Sequence, residues 1–281
     1  MSQQYLLYND IFHPLGTPII TAENRAFRFG DGLFESMRMI DGKLQFADLH
    51  ADRLAAGMKV LKIDGHALMD SYFLKQKTAD LAKRNKWAGN ARFRLSVYRA
   101  GAGLYTPEYN KNGYLLEGNA LHSNTYELNK KGLIVDLFTD LPKAINKLSN
   151  LKTANALIYV LAGLFKQQNS LDEAFILNDK GFLCESISAN IFVVYDKKIY
   201  TPALTEGCVA GVMRSSILYL AKINNIQVVE AEINPKVLAE ADEVFITNAT
   251  RGLQWVMGYG RKRYFDKVAK LLSQTLNASL K

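Results

Sequence analysis

Only two cysteines, Cys184 and Cys208, occur in the 281 residues. They lie too far apart for a Cys-x-x-Cys pair and imply no disulfide framework, so reduced thiols in a cytoplasmic protein are expected. The chain has four histidines. None joins a Cys/His cluster, so no metal centre is expected. A serine hydrolase is excluded by the lack of a Gly-x-Ser-x-Gly elbow. The glycine-rich turn Phe29-Gly-Asp-Gly-Leu33 lacks the Gly-Lys-Ser/Thr ending of a P-loop. No apolar run is long enough to cross a bilayer. The N-terminal residues also lack the basic start and apolar core of a signal peptide. Internal repeats and low-complexity tracts are absent.

What the chain does have is apolar bulk and a basic balance. Hydrophobic residues make up 48% of it, enough for a substantial core. Lys and Arg number 35 against 27 Asp and Glu, for a net charge of +8. An anionic partner is implied. The basic residues are dispersed and their densest run, Arg261-Lys-Arg263, is short. The charge suits nucleic acid, a membrane surface, or a phosphorylated or carboxylate ligand, and with no nucleic-acid-binding motif beside it nucleic acid is the least supported of these.

Periodicity predicts a mixed chain. Strands are expected at 5–8, 33–40, 43–46, 91–98 and 114–121, and helices at about 49–61 and 67–85. Asp48 is the expected cap of the first helix. Asp41-Gly42 is the strongest hairpin turn. Residues 123–132 are polar and aperiodic. Beyond them come short strands at 133–138, 174–177, 182–186, 191–195, 198–200 and 244–247. Helices are expected at 154–168, 209–224 and 265–280. The fold class is therefore α+β, in two domains: a smaller N-terminal α/β sandwich over 1–122, a linker over 123–131, and a larger β-rich domain over 132–281.

Three segments carry chemistry. Lys152, in Leu148-Ser-Asn-Leu-Lys-Thr-Ala-Asn155, sits in a polar notch before an apolar helical run. Glu185 follows on a strand. Gly207 to Arg214 opens a helix whose first free N–H groups, around Val212 and Met213, favour an anion. A lysine for an imine, a carboxylate for a pyridine nitrogen and a helix N-terminus for a phosphate are the parts that hold pyridoxal phosphate. Thr247-Asn248-Ala249, at a strand end, offers polar groups to a phosphate or carboxylate. His50 and Arg53 share a helix face, and Arg53 can pair with a phosphate. Singly, each feature is also what a surface lysine, a strand glutamate or an ordinary turn looks like.

Together, and in this order, the segments resemble the class IV pyridoxal-phosphate enzymes. These include branched-chain aminotransferases, D-amino-acid aminotransferases and 4-amino-4-deoxychorismate lyases. The resemblance implies a homodimer with the cofactor at the domain interface. It implies that Lys152 carries the imine and acts as the acid–base catalyst. Arg53, Glu185, Val212, Met213 and Asn248 would then bind the cofactor, and Phe34, Ser36, Arg99, Tyr105 and Ala249 the substrate. Amino-acid and 2-oxo-acid substrates follow, branched-chain-like, with neither nucleic acid nor membrane as partner. Ser36 and the stretch Tyr98-Arg-Ala-Gly-Ala-Gly-Leu-Tyr105 are similar to the lyase, whereas Leu104 stands where the lyase has arginine. The expected activity is amino-group transfer. The alternatives are the lyase, releasing pyruvate and p-aminobenzoate, and a non-enzymatic basic binding protein on the same fold.

Overall fold

A computed structural model describes residues 3–280. The chain divides into two compact units. One comprises residues 1–124 with 151–155, the other 125–150 with 156–281. The short segment around Lys152 thus belongs to the first unit, although its neighbours in sequence belong to the second. The passage at 124–125 falls inside the polar stretch 123–132.

In the first unit six strands form one sheet, in the order Ile11–Pro14, Tyr5–Tyr8, Asn112–Ala120, Ala91–Arg99, Gly32–Ile40, Lys43–Leu44. Each neighbouring pair is antiparallel. Strand Ala91–Arg99 shows why: Phe93, Leu95 and Val97 are buried while Arg92 and Arg94 between them are exposed. Period-two alternation gives the sheet one apolar face. That face packs with helices Ala47–Leu61 and Ser71–Arg84 through Leu33, Met37, Leu54, Met58, Leu74 and Leu81. Full burial of such a side chain contributes roughly 1.5–3 kcal/mol. The hairpin turn forms as expected, with Asp41 at φ 47° and Gly42 at φ 78°.

Three local expectations change. Asp48 is no cap: helix Ala47–Leu61 starts after Phe46 in a left-handed conformation, and Asp48 lies in its first turn. There its charge meets the positive end of the helix dipole. The helix expected over 67–85 is broken. A single 3₁₀ turn, His66–Leu68, precedes helix Ser71–Arg84, because Asp70 accepts the Phe73 N–H and restarts it. The strand expected over 43–46 shrinks to Lys43–Leu44.

The second unit is built on nine strands. Their order is Val228–Ala231, Lys198–Pro202, Asn190–Tyr195, Glu243–Asn248, Gly252–Tyr259, Leu133–Lys143, Glu173–Asn178, Leu183–Ser186, with Lys262–Arg263 paired to Gly252–Tyr259. Residues 252–259 were not expected to be a strand. Glycine near each end lowers their propensity, but neighbours on both sides pair with them. Val135, Phe175, Ile191, Val193, Val244, Ile246 and Val256 fill the core of this unit. Helices Leu157–Gln168, Val212–Ile223 and Lys267–Ser279 complete it. No helix among the described residues is long and apolar enough to cross a membrane.

Candidate active site

Backbone pairing places Lys152 in the first unit. Strand Lys43–Leu44 pairs only with Met39 and Ile40, so the other half of strand Gly32–Ile40 keeps an open edge. Residues 152–155 take that edge. Phe34 N–H donates to Lys152 O (2.9 Å), Ala154 N–H to Gly32 O (2.9 Å), and Asn155 Nδ2 to Gly30 O (3.2 Å). Gly30 has φ 65°, and a Cβ there would lie 2.6 Å from Asn155 Oδ1, so both its conformation and its neighbour call for glycine.

Lys152 Nζ lies 4.4 Å from the centre of the Phe34 ring, and the Arg94 guanidinium carbon 3.7 Å from the same centre. Ser36 stands opposite Arg94 in the strand register. Lys152, Phe34 and Arg94 thus meet at one aromatic ring, held by cation–π attraction. Among the described residues Arg94 donates no hydrogen bond.

Behind Phe34, on the buried face, Glu35 binds His50 and Arg53, the two residues singled out on the neighbouring helix. Its Oε1 accepts from Arg53 Nε (2.8 Å), and its Oε2 from Arg53 Nη2 (2.5 Å) and His50 Nδ1 (2.6 Å). Burial alone would raise the Glu35 pKa, but the Arg53 and His50 charges and hydrogen bonds outweigh it and hold it at about 2. Arg53 is therefore locked in place by a bidentate pair.

Arg99 is placed otherwise than its expected role needs. It is buried, and its guanidinium is committed to other groups. Nε and Nη2 donate to Asp31 (2.9 and 3.3 Å), Nη1 to Lys62 O (2.9 Å) and Asn110 Oδ1, and Nη2 to Leu61 O (2.6 Å). All five donors are engaged by protein. Arg25 gives Asp31 a further bond at 2.8 Å and donates to Gly103 O and Leu104 O, so it and Arg99, through Asn110, anchor the loop between strands Ala91–Arg99 and Asn112–Ala120. Tyr105, on that loop, is 88% exposed and touches the Phe29 ring.

In the second unit Glu185 is buried on strand Leu183–Ser186. Its Oε1 accepts from Lys143 Nζ and from Tyr159 OH (2.7 Å), and its Oε2 from Val209 N–H (2.9 Å). Burial, then the Glu185 charge, pushes the Tyr159 phenol well above its ordinary pKa, so it stays a donor. Cys184 and Cys208 are buried thiols whose pKa values are raised by burial first, that of Cys208 to about 11. Neither has thiolate character.

Helix Val212–Ile223 begins at Gly211, with no side chain capping it. The first intrahelical bond runs from Ser215 N–H to Gly211 O, so the N–H groups of Val212 and Met213 have no acceptor within the helix. A Cβ on Gly211 would fall 1.9 Å from Asn190 Oδ1. Asn190 pairs in register with Thr247, whose buried Oγ1 has no hydrogen-bond partner among the described residues. An open helix N-terminus, a glycine with no room for a side chain and an unsatisfied hydroxyl make a cradle for an anion. Asn248 is less available than expected. Its Oδ1 accepts from Thr250 and Arg251, closing the turn, and its Nδ2 reaches Ser188 O at 3.4 Å. Ala249 O accepts from Tyr126 OH (3.0 Å).

Sequence reasoning missed Glu35, Arg94, Lys143 and Tyr159. Arg94 is visible in the alternation of its strand. Lys143 has no local signal, since Glu185 is 42 residues away.

The family described as class IV amino-transferases matches residues 32–257. The chain belongs to the class IV aminotransferases. It is an enzyme, which sets aside the binding-protein alternative. Class IV aminotransferases depend on pyridoxal phosphate, and the second unit's anion cradle and buried carboxylate fit that group. Among relatives, a Methanocaldococcus jannaschii protein provisionally named a branched-chain-amino-acid aminotransferase is 31% identical over 234 residues, 78% of this chain and 75% of that one. The aminodeoxychorismate lyase of Bacillus subtilis is 26% identical over 237 residues, 82% of this chain and 78% of that one. The branched-chain amino acid aminotransferase of Thermobaculum terrenum, solved in its pyridoxal-phosphate form, has the same fold. Its TM-score is 0.85 at 19% identity, covering 99% of this chain and 94% of that one. This class IV aminotransferase thus has relatives named for both transfer and elimination.

Proposed function

We propose that the protein moves an amino group between an amino acid and a 2-oxo acid, with pyridoxal phosphate bound through Lys152. The observation that carries this reading is the placement of Lys152, its backbone pinned to strand Gly32–Ile40 and its amine over Phe34. When bound, the cofactor supplies an aldehyde that condenses with amines and a ring that draws electrons from the adjoining carbon. Lys152 would hold the cofactor, and its amine would take the proton from the substrate Cα and return it. Glu185 would accept the ring N–H. The Val212 and Met213 N–H groups and Arg53, the last oriented by Glu35, would hold the phosphate, with Asn248 joining them by giving up its Nδ2 contact with Ser188 O. Phe34, Ser36, Tyr105 and Ala249 bound the substrate.

With the donors of Arg99 engaged, the substrate contact expected there falls to Arg94, which lies over the Phe34 ring and stands opposite Glu117 in the strand register. The test offers L-leucine or D-alanine with 2-oxoglutarate, and aminodeoxychorismate separately. Keto-acid exchange is expected. Arg94→Gln should raise KM for 2-oxoglutarate roughly 10- to 100-fold, the weight of a charge-assisted hydrogen bond. Rapid p-aminobenzoate release without exchange would establish the lyase instead, a reading that Ser36 and the loop before Tyr105 favour.

A homodimer goes with this reading. Helix Leu157–Gln168 exposes Leu157 (77%), Val160 (54%), Leu161 (44%) and Leu164 (48%), an apolar stripe at helical spacing. Leu161→Glu should therefore shift the protein from dimer to monomer in analytical ultracentrifugation. A variant that sediments as the parent does would remove this helix from the interface.

A further inference from the structure

Lys143 belongs to no motif, yet it is buried and ends on Glu185. It comes from the last residue of strand Leu133–Lys143, which pairs with Asn178 across a break in the register. Its ammonium has a second acceptor, Ser149 O at 3.1 Å, and lies 5.6 Å from the centre of the Tyr159 ring. Tyr159 comes from a different element, helix Leu157–Gln168, and Val209 from the segment before helix Val212–Ile223. Three donors from three parts of the unit thus converge on one carboxylate.

A carboxylate has about four lone-pair sites. Lys143 and Tyr159 occupy Oε1, and Val209 takes one site on Oε2. Among the described residues nothing else donates to Glu185, so a single position on Oε2 stays open. A carboxylate held at one oxygen by two side chains cannot rotate about its last bond without breaking both contacts. An unanchored glutamate would lose side-chain entropy on meeting a ligand, and this one has already lost it.

We propose that Lys143 and Tyr159 are positioning residues, which fix Glu185 so that its one open acceptor site meets the cofactor's ring N–H. The inference rests on the reading of Glu185 given above. It assigns the two residues a role in discriminating a ring nitrogen from a ring carbon, beyond holding the fold.

The experiment uses the full-length protein freed of cofactor. It compares binding of pyridoxal phosphate with binding of its carbocyclic analogue, in which a C–H replaces the ring nitrogen. Dissociation constants are read by absorbance and fluorescence titration, without turnover. The parent protein should prefer pyridoxal phosphate by about tenfold or more, the weight of a hydrogen bond to a charged group. Tyr159→Phe and Lys143→Met should each remove most of that preference while analogue binding changes little, and Lys143→Arg should restore it. An unchanged preference in Tyr159→Phe overturns the inference, as does equal weakening of both ligands. Tyr159→Phe deletes one oxygen, so the test stands even if Lys143→Met fails to fold. A parent protein that binds neither compound sinks the cofactor reading itself.

Discussion

Replacing Lys152 by alanine is expected to abolish turnover, with kcat falling by on the order of 10⁴-fold. The fold should survive, because residue 152 contributes its backbone carbonyl, not its side chain, to the bond with Phe34 N–H. What is lost is the amine over the Phe34 ring. That amine is asked both to bind the cofactor covalently and to move the proton at Cα, so no neighbour can substitute for it. Arg94, the other cation at the ring, is guanidinium and stays protonated at any working pH. Borohydride reduction of the parent protein should fix the cofactor's mass on Lys152 and remove absorbance near about 410–430 nm. Unaltered turnover in Lys152→Ala, or mass fixed on another lysine, would move the chemistry elsewhere.

The second large effect is on stability. Glu35→Gln should destabilise the first unit by about 3 kcal/mol, because it leaves the half-buried Arg53 charge beside a neutral amide. Urea denaturation followed by circular dichroism reads this as a lower midpoint. The same group sets an acid limit. The folded-state pKa of Glu35 is about 2 against an ordinary 4.5, a depressed value. The stability it contributes is therefore complete above about pH 4.5 and is lost as pH falls towards 2. The shift corresponds to about 3 kcal/mol. Parent and Glu35→Gln midpoints should converge over that window; a constant gap down to pH 2 would mean the pair stabilises through packing alone. Because Glu35 also orients Arg53, the variant should weaken pyridoxal-phosphate binding at neutral pH.

The fold was read best where one period dominates. Strand Ala91–Arg99 alternates arginine with Phe93, Leu95 and Val97, and forms as expected. Strand Gly252–Tyr259 escaped, because its register is imposed by partners on both sides and not by its own residues. The expected site residues divide in the same way. The helix opening at Val212 and Met213 is a local matter of glycine and helix ends, and the sequence shows it. The engagement of Arg99 depends on Leu61, Lys62, Asn110 and Asp31, and no local pattern announces it.

By itself the sequence determined the family and the order of its parts, and it singled out Lys152 as the candidate lysine, since these rest on residue types at short spacings. The tertiary structure decided what each cation meets. It engaged Arg99, set Arg94 beside Lys152 on one ring, and brought Lys143 and Tyr159 to Glu185. The physical reason is that a hydrogen bond or an ion pair depends on distance in space. A chain that returns on itself after 42 residues keeps no record of that distance in its local pattern.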